Sequence, residues 1–116
     1  MREAIAHIRG RECSISPGGR ITVAAGPDPV REPPFIASVS ELKTLSLIAQ
    51  GFTFDQASLK RELATVYIRQ QMERLRKLNE GKRTSALAAI GTELDLLNPL
   101  AIEGISVLSG ALKKEI

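Results

Sequence analysis

Ile68, Met72, Leu75 and Leu78 recur at i, i+4, i+7 and i+10. That spacing predicts a helix over about 65–78 with one continuous apolar stripe. A one-sided stripe has to be covered by neighbouring elements, and the flanking sequence supplies candidates. Ser38 or Ser40 can cap a helix that runs to about Gln50, with Leu42, Leu45, Ile48 and Ala49 on its apolar face and Gly51 as its stop. Thr53 caps a short helix that ends near Arg61 or Glu62, and Leu63-Ala64 makes a tight turn into the striped helix. After Asn79-Glu80-Gly81, Ala86, Leu87, Ile90, Leu94 and Leu97 predict a fourth helix over about 84–97, broken by Pro99.

Aromatic residues make up 3% of the 116 residues and hydrophobic residues 43%. The core must therefore be built from Leu, Ile, Val and Ala, as in small helical bundles. A core of that size is often completed by a second subunit.

The N-terminal part reads differently. Residues 2–9 have Ala4, Ile5 and Ile8 on one side of a short helix that Gly10 ends. Cys13–Ser16 and Arg20–Val23 alternate about Pro17-Gly18-Gly19, the pattern of a β-hairpin. Four of the six prolines lie between Pro27 and Pro34, an extended linker. Leu100, Ile105, Leu108 and Leu112 give the tail a helical spacing, weakened by Gly104 and Gly110. The resulting division is 1–25 helix and hairpin extension, 26–37 linker, 38–97 helical domain, and 98–116 helical tail for packing or dimerisation. The expected fold is mainly α, a four-helix bundle with a small N-terminal β-hairpin and a C-terminal helical tail.

No apolar run is long enough to span a bilayer and the N-terminus lacks a signal-peptide stretch, so the expected location is the cytoplasm with no membrane partner. One cysteine, Cys13, and one histidine, His7, supply neither a disulfide nor a zinc site. The phosphate-loop pattern is absent, and isolated polar residues give no support to an enzyme. No cofactor or metal is expected.

The formal charge is +3, and it is local. Residues 60–83 hold eight basic and three acidic residues, a net +5. A short helix, a tight turn and a longer basic helix form the pattern of a DNA reader, whose second helix enters the major groove. With the stripe pointing inward, Val66, Gln70, Glu73 and Lys77 face outward and Arg69 and Arg74 flank them. Arg69, Gln70, Glu73 and Val66 suit base edges: guanidinium for guanine, amide for adenine, carboxylate for cytosine. Lys60, Arg61, Thr65, Tyr67, Arg74, Lys77, Lys82 and Arg83 suit phosphates. The plainer reading of the same charge is a solvated helix face.

The stretch Ser40-Glu41-Leu42-Lys43-Thr44-Leu45-Ser46-Leu47-Ile48-Ala49-Gln50-Gly51 resembles the first helix of the LuxR/GerE-type helix-turn-helix family. Leu75-Arg76-Lys77-Leu78-Asn79 followed by Gly81-Lys82-Arg83-Thr84-Ser85-Ala86 resembles the end of its recognition helix and the start of its fourth helix. The likeness covers about 38–92. It implies four helices, sequence-specific binding of double-stranded DNA, and a homodimer formed through the last helix, here Leu94, Leu97, Ile105, Leu108 and Leu112. The family's base-contacting positions fall on Arg69, Gln70 and Glu73. The middle departs: Arg61 stands where the family has Leu, Tyr67 replaces a Thr, and Gln71 replaces a His. The expected function is a dimeric transcriptional regulator. The alternative is a protein-interaction module of the same fold that binds and restrains another regulator.

Overall fold

The computed structural model describes residues 3–114. Among them the chain forms β1 (Ala4–Ile8), β2 (Arg11–Ile15), β3 (Arg20–Val23) and β4 (Phe35–Ser38). Five helices follow: α1 (Val39–Ala49), α2 (Phe54–Arg61), α3 (Thr65–Leu78), α4 (Thr84–Glu93) and α5 (Pro99–Lys114). The strands make one antiparallel sheet in the order β1-β2-β3-β4. This corrects the expected four-helix bundle with a small hairpin: the protein is a mixed α and β fold in which a whole sheet forms one layer.

The segment read as an N-terminal helix is strand β1. Five residues with Ala4, Ile5 and Ile8 fit both periods, and pairing decides between them. Arg9 and Gly10, at φ 50° and 76°, form a two-residue turn that sets Ile8 against Arg11 and Ala6 against Cys13. The expected hairpin is present as β2 and β3, closed by Ser16 N to Arg20 O at 2.9 Å. The proline-rich stretch is a folded loop, not an extended linker, and its end is strand β4. Buried Arg11 ties it down, donating from Nε to Ala24 O at 2.7 Å and from Nη2 to Pro33 O.

Alternation places Cys13, Ile15, Ile21, Val23, Phe35 and Ala37 on one face of the sheet, all buried. They share a single hydrophobic cluster with Leu42, Leu45, Met72, Leu75, Leu87, Leu94, Ile102 and Ile105 from the helices. The opposite face carries exposed Ile5, His7, Glu12, Arg20 and Thr22. The sheet was the missing cover for the helical stripe. With almost no aromatic bulk and an α4 rich in Ala, the helices alone enclose too little volume, and six inward strand residues complete the core.

The helix starts are local. Ser38 caps α1 in a capping box, its Oγ accepting from Glu41 N at 3.1 Å while Glu41 Oε1 accepts from Ser38 N at 2.8 Å. Thr53 and Gln56 do the same for α2. Helix α4 stops four residues short of the expected 97. The chain turns back through Asp95 at φ 62°, Leu96 N donates to Gly91 O at 2.9 Å, and Leu97 folds onto Gly91. A Cβ at Gly91 would lie 3.0 Å from Leu97 Cγ, so glycine permits the close approach. No helix among the described residues is long and apolar enough to cross a membrane.

Candidate nucleic-acid interface

Helices α2 and α3 are joined by Glu62, Leu63 and Ala64. Glu62 is left-handed at φ 54°, Leu63 N donates to Ser58 O at 3.1 Å, and Ser58 Oγ donates to Leu63 O. Ala57 is fully buried, and its small side chain lets α2 sit close to its neighbours. The connection is a three-residue turn between two helices.

Helix α3 buries Ile68, Gln71, Met72 and Leu75, with Leu78 half-buried. Its outer surface exposes Val66, Arg69, Gln70, Glu73, Arg74 and Lys77. All four residues expected at base edges therefore lie on the solvent side, Val66 at 64% exposure. Arg69 lies over the Phe54 ring, 5.7 Å from its centroid, which biases a long side chain toward the start of α2. Glu73 accepts from Arg76 at 3.4 Å. This is an exposed contact that a stronger partner can displace.

Among the expected phosphate contacts, Lys60, Tyr67, Arg74, Lys77 and Arg83 are exposed, while Thr65 and Lys82 are half-buried. Lys60 sits over Phe52, 4.6 Å from the ring centroid. Lys82 lies 3.8 Å from Glu80.

Arg61 is not among the outward cations. Its guanidinium turns inward, where Nη1 donates to Ser40 O at 2.8 Å and to Thr44 Oγ1 at 2.6 Å. Burial pushes its pKa down from the usual arginine value, opposed by Tyr67. The network continues. Thr44 Oγ1 donates to Gln71 Oε1 at 2.6 Å, and Gln71 Nε2 donates to Ser40 Oγ at 2.7 Å. Two departures from the family pattern, Arg61 and Gln71, thus belong to one polar cluster that joins α1, α2 and α3. The signal in the sequence was Thr44 and Gln71, polar residues falling on otherwise apolar helix faces.

Asn79 closes the C-terminal end of α3. Its Oδ1 accepts from Ile36 N at 3.0 Å, and its Nδ2 donates to Ile36 O at 2.8 Å and Leu75 O at 2.8 Å. One amide links the last turn of α3 to the edge of the sheet. Helix α3 is thereby held by apolar contacts along its length, by Gln71 at its middle and by Asn79 at its C-terminal end.

Of the residues expected to form a dimer seam, Leu94, Leu97, Ile105 and Leu112 are buried within this chain, and only Leu108 is exposed. The first three lose their solvent contact to the sheet and the neighbouring helices, so they offer nothing to a second subunit. Comparison with protein-family models, with curated proteins and with solved structures finds no match.

Proposed function

We propose that this chain is a sequence-specific DNA-binding transcriptional regulator of the cytoplasm, resembling the LuxR/GerE-type readers in sequence over about residues 38–92, which lays the outer face of α3 in the major groove. The observation that carries this reading is the two-sidedness of α3. Its inner face is fixed to the sheet and to α1, while Arg69, Gln70 and Glu73 project together from the opposite side with Val66 beside them. Fixed backbone with free polar side chains is what base readout needs. Arg74, Lys77, Arg83 and Lys60 then serve the phosphates.

Selection of bound sequences from a random DNA pool, followed by mobility shift, tests the proposal. Arg69→Ala and Gln70→Ala each lose about 1–3 kcal/mol of preference for the selected site. Lys77→Ala weakens all sequences alike and lowers the salt slope by about one. No enrichment from the pool, or an Arg69→Ala variant with unchanged preference, rejects it.

A second reading, a module that binds another regulator, is favoured by one observation. Leu59 at 80% and Tyr67 at 40% exposure join Val66 as apolar surface on α2 and α3. Co-purification of a regulator without DNA affinity would support it.

A further inference from the structure

The sheet has two edges, and only one is closed among the described residues. Glu12 O accepts from Ala24 N at 2.8 Å and Ser16 N donates to Arg20 O at 2.9 Å, so the even residues of β2 face β3. Arg11, Cys13 and Ile15 consequently face β1, where they oppose Ile8, Ala6 and Ala4. The same alternation turns the N–H and C=O groups of Ile5 and His7 outward, away from the sheet. At the far edge it turns those of Ile36 outward, and Asn79 takes both. No described side chain or strand does this for β1.

Natural edge strands are guarded by charge, proline, a bulge or a covering element. Strand β1, with the sequence Ala-Ile-Ala-His-Ile, carries no charged residue and no proline. It is flanked by Glu3 on one side and Arg9 on the other, both exposed. About Ala6 that pattern is self-complementary. Antiparallel pairing of two copies centred on Ala6 sets Ala4 against Ile8 and Ile5 against His7, and brings Glu3 beside Arg9 at the first position of the β1–β2 turn, twice over. It also brings the outward groups of Ile5 and His7 into mutually hydrogen-bonding pairs. A register centred on Ile5 puts Glu3 against His7 instead. One centred on His7 stacks two histidines and puts Arg9 against Ile5. Neither keeps both ion pairs.

We propose that β1 is a homodimer interface, with a second copy of the chain pairing across a two-fold axis at Ala6 to give one continuous eight-stranded sheet. The inward side chains of the second β1 would extend apolar cover over the groove formed by Ala6, Ile8, Leu96 and Ala101. The interface is isologous, as closed dimers require, and it leaves α3 of each copy unused. The inference stands apart from the DNA reading and is tested without DNA.

The molar mass of the full chain, followed by sedimentation over a concentration series, is expected to show a dimer. His7→Pro removes an outward N–H that nothing within the monomer uses, a change an edge strand tolerates. It should yield a monomer with an unchanged far-ultraviolet spectrum. Glu3→Lys and Arg9→Glu each should raise the dimer dissociation constant about tenfold, and the double variant should restore it. In a Cys13→Ala background, Ala6→Cys should form an interchain disulfide on oxidation. Residues facing each other in a non-hydrogen-bonded pair have Cα atoms about 4.5 Å apart, within disulfide range. A chain that is monomeric at every concentration overturns the proposal. So does a dimer in which the charge reversals have no effect and Ala6→Cys does not cross-link, since its seam would then lie elsewhere.

Discussion

Gln70 and Gln71 are neighbours of identical chemistry with opposite fates. Gln70 is exposed on the outer face of α3, while Gln71 is 1% exposed and both ends of its amide are bonded, to Thr44 and Ser40. Arg69 and Arg61 make a second such pair, one lying outward over Phe54 and the other drawn inward to Ser40 and Thr44. The contrast separates two kinds of work. A buried polar group must be satisfied or it costs stability, so the inner set fixes where α3 lies. An exposed polar group costs nothing to leave unpaired, so the outer set remains available to a ligand.

The comparison breaks hardest at the apolar centre. Leu75→Ala removes a fully buried side chain from the cluster that joins sheet and helices. It should destabilise by about 2–5 kcal/mol in denaturant unfolding. Next comes the latch: Asn79→Ala leaves Ile36 without its partner at the sheet edge and should cost about 1–3 kcal/mol. Gln71→Leu strands the Thr44 O–H, whose oxygen still accepts from Arg61, and removes the amide donor to Ser40, and should cost a similar amount. Adding Thr44→Val should then cost less than its single-variant loss, because the stranded hydroxyl is removed with it. A double-mutant cycle over the two positions is therefore expected to show coupling of about 1 kcal/mol. Strict additivity would mean that the two side chains do not act together.

The outer face sharpens the same contrast from the other side. Arg69→Ala and Gln70→Ala should shift stability by no more than about 0.5 kcal/mol while changing DNA preference. A large loss of stability from either would place it in the fold and not in the interface. The smallest expected effect concerns Cys13. It is fully buried, and burial pushes its thiol above the ordinary cysteine value. Because the folded value is the raised one, this contribution is complete below pH 9.0 and is lost as the pH rises through the folded value. Thiol labelling under native conditions should be slow and should follow global unfolding.

Much of the helical half was readable from the chain. The stripe Ile68, Met72, Leu75 fixed α3 and its inner face, and with it the outward position of Val66, Arg69, Gln70 and Glu73. Thr53 marked one helix start and Ser38 was one of two candidates for another, while the capping partners Gln56 and Glu41 came from the structure. The sheet was half legible. The β2–β3 hairpin announced itself by alternation about a glycine turn, whereas β1 has too few residues to separate a period of 2 from 3.6. The spacing of the tail predicts a helix, as found, and offers Ile105, Leu108 and Leu112 to a dimer seam, where only Leu108 is exposed. Nothing local distinguishes an apolar face that meets its own sheet from one that meets a second subunit. Charge likewise suits Arg61 to a phosphate, but charge alone does not say which way a long side chain turns.

What the sequence determined by itself is whatever closes within about four residues: the helix caps, the glycine turns, the spacing of the stripe, and the local concentration of positive charge between Lys60 and Arg83. What only the tertiary structure decided spans long separations. Arg61 reaches Ser40 across 21 residues, Gln71 meets Thr44 across 27, and Asn79 meets Ile36 across 43. The physical reason is that a backbone group or a polar side chain has many possible partners along the chain. Burial of the shared core determines which of them come within reach.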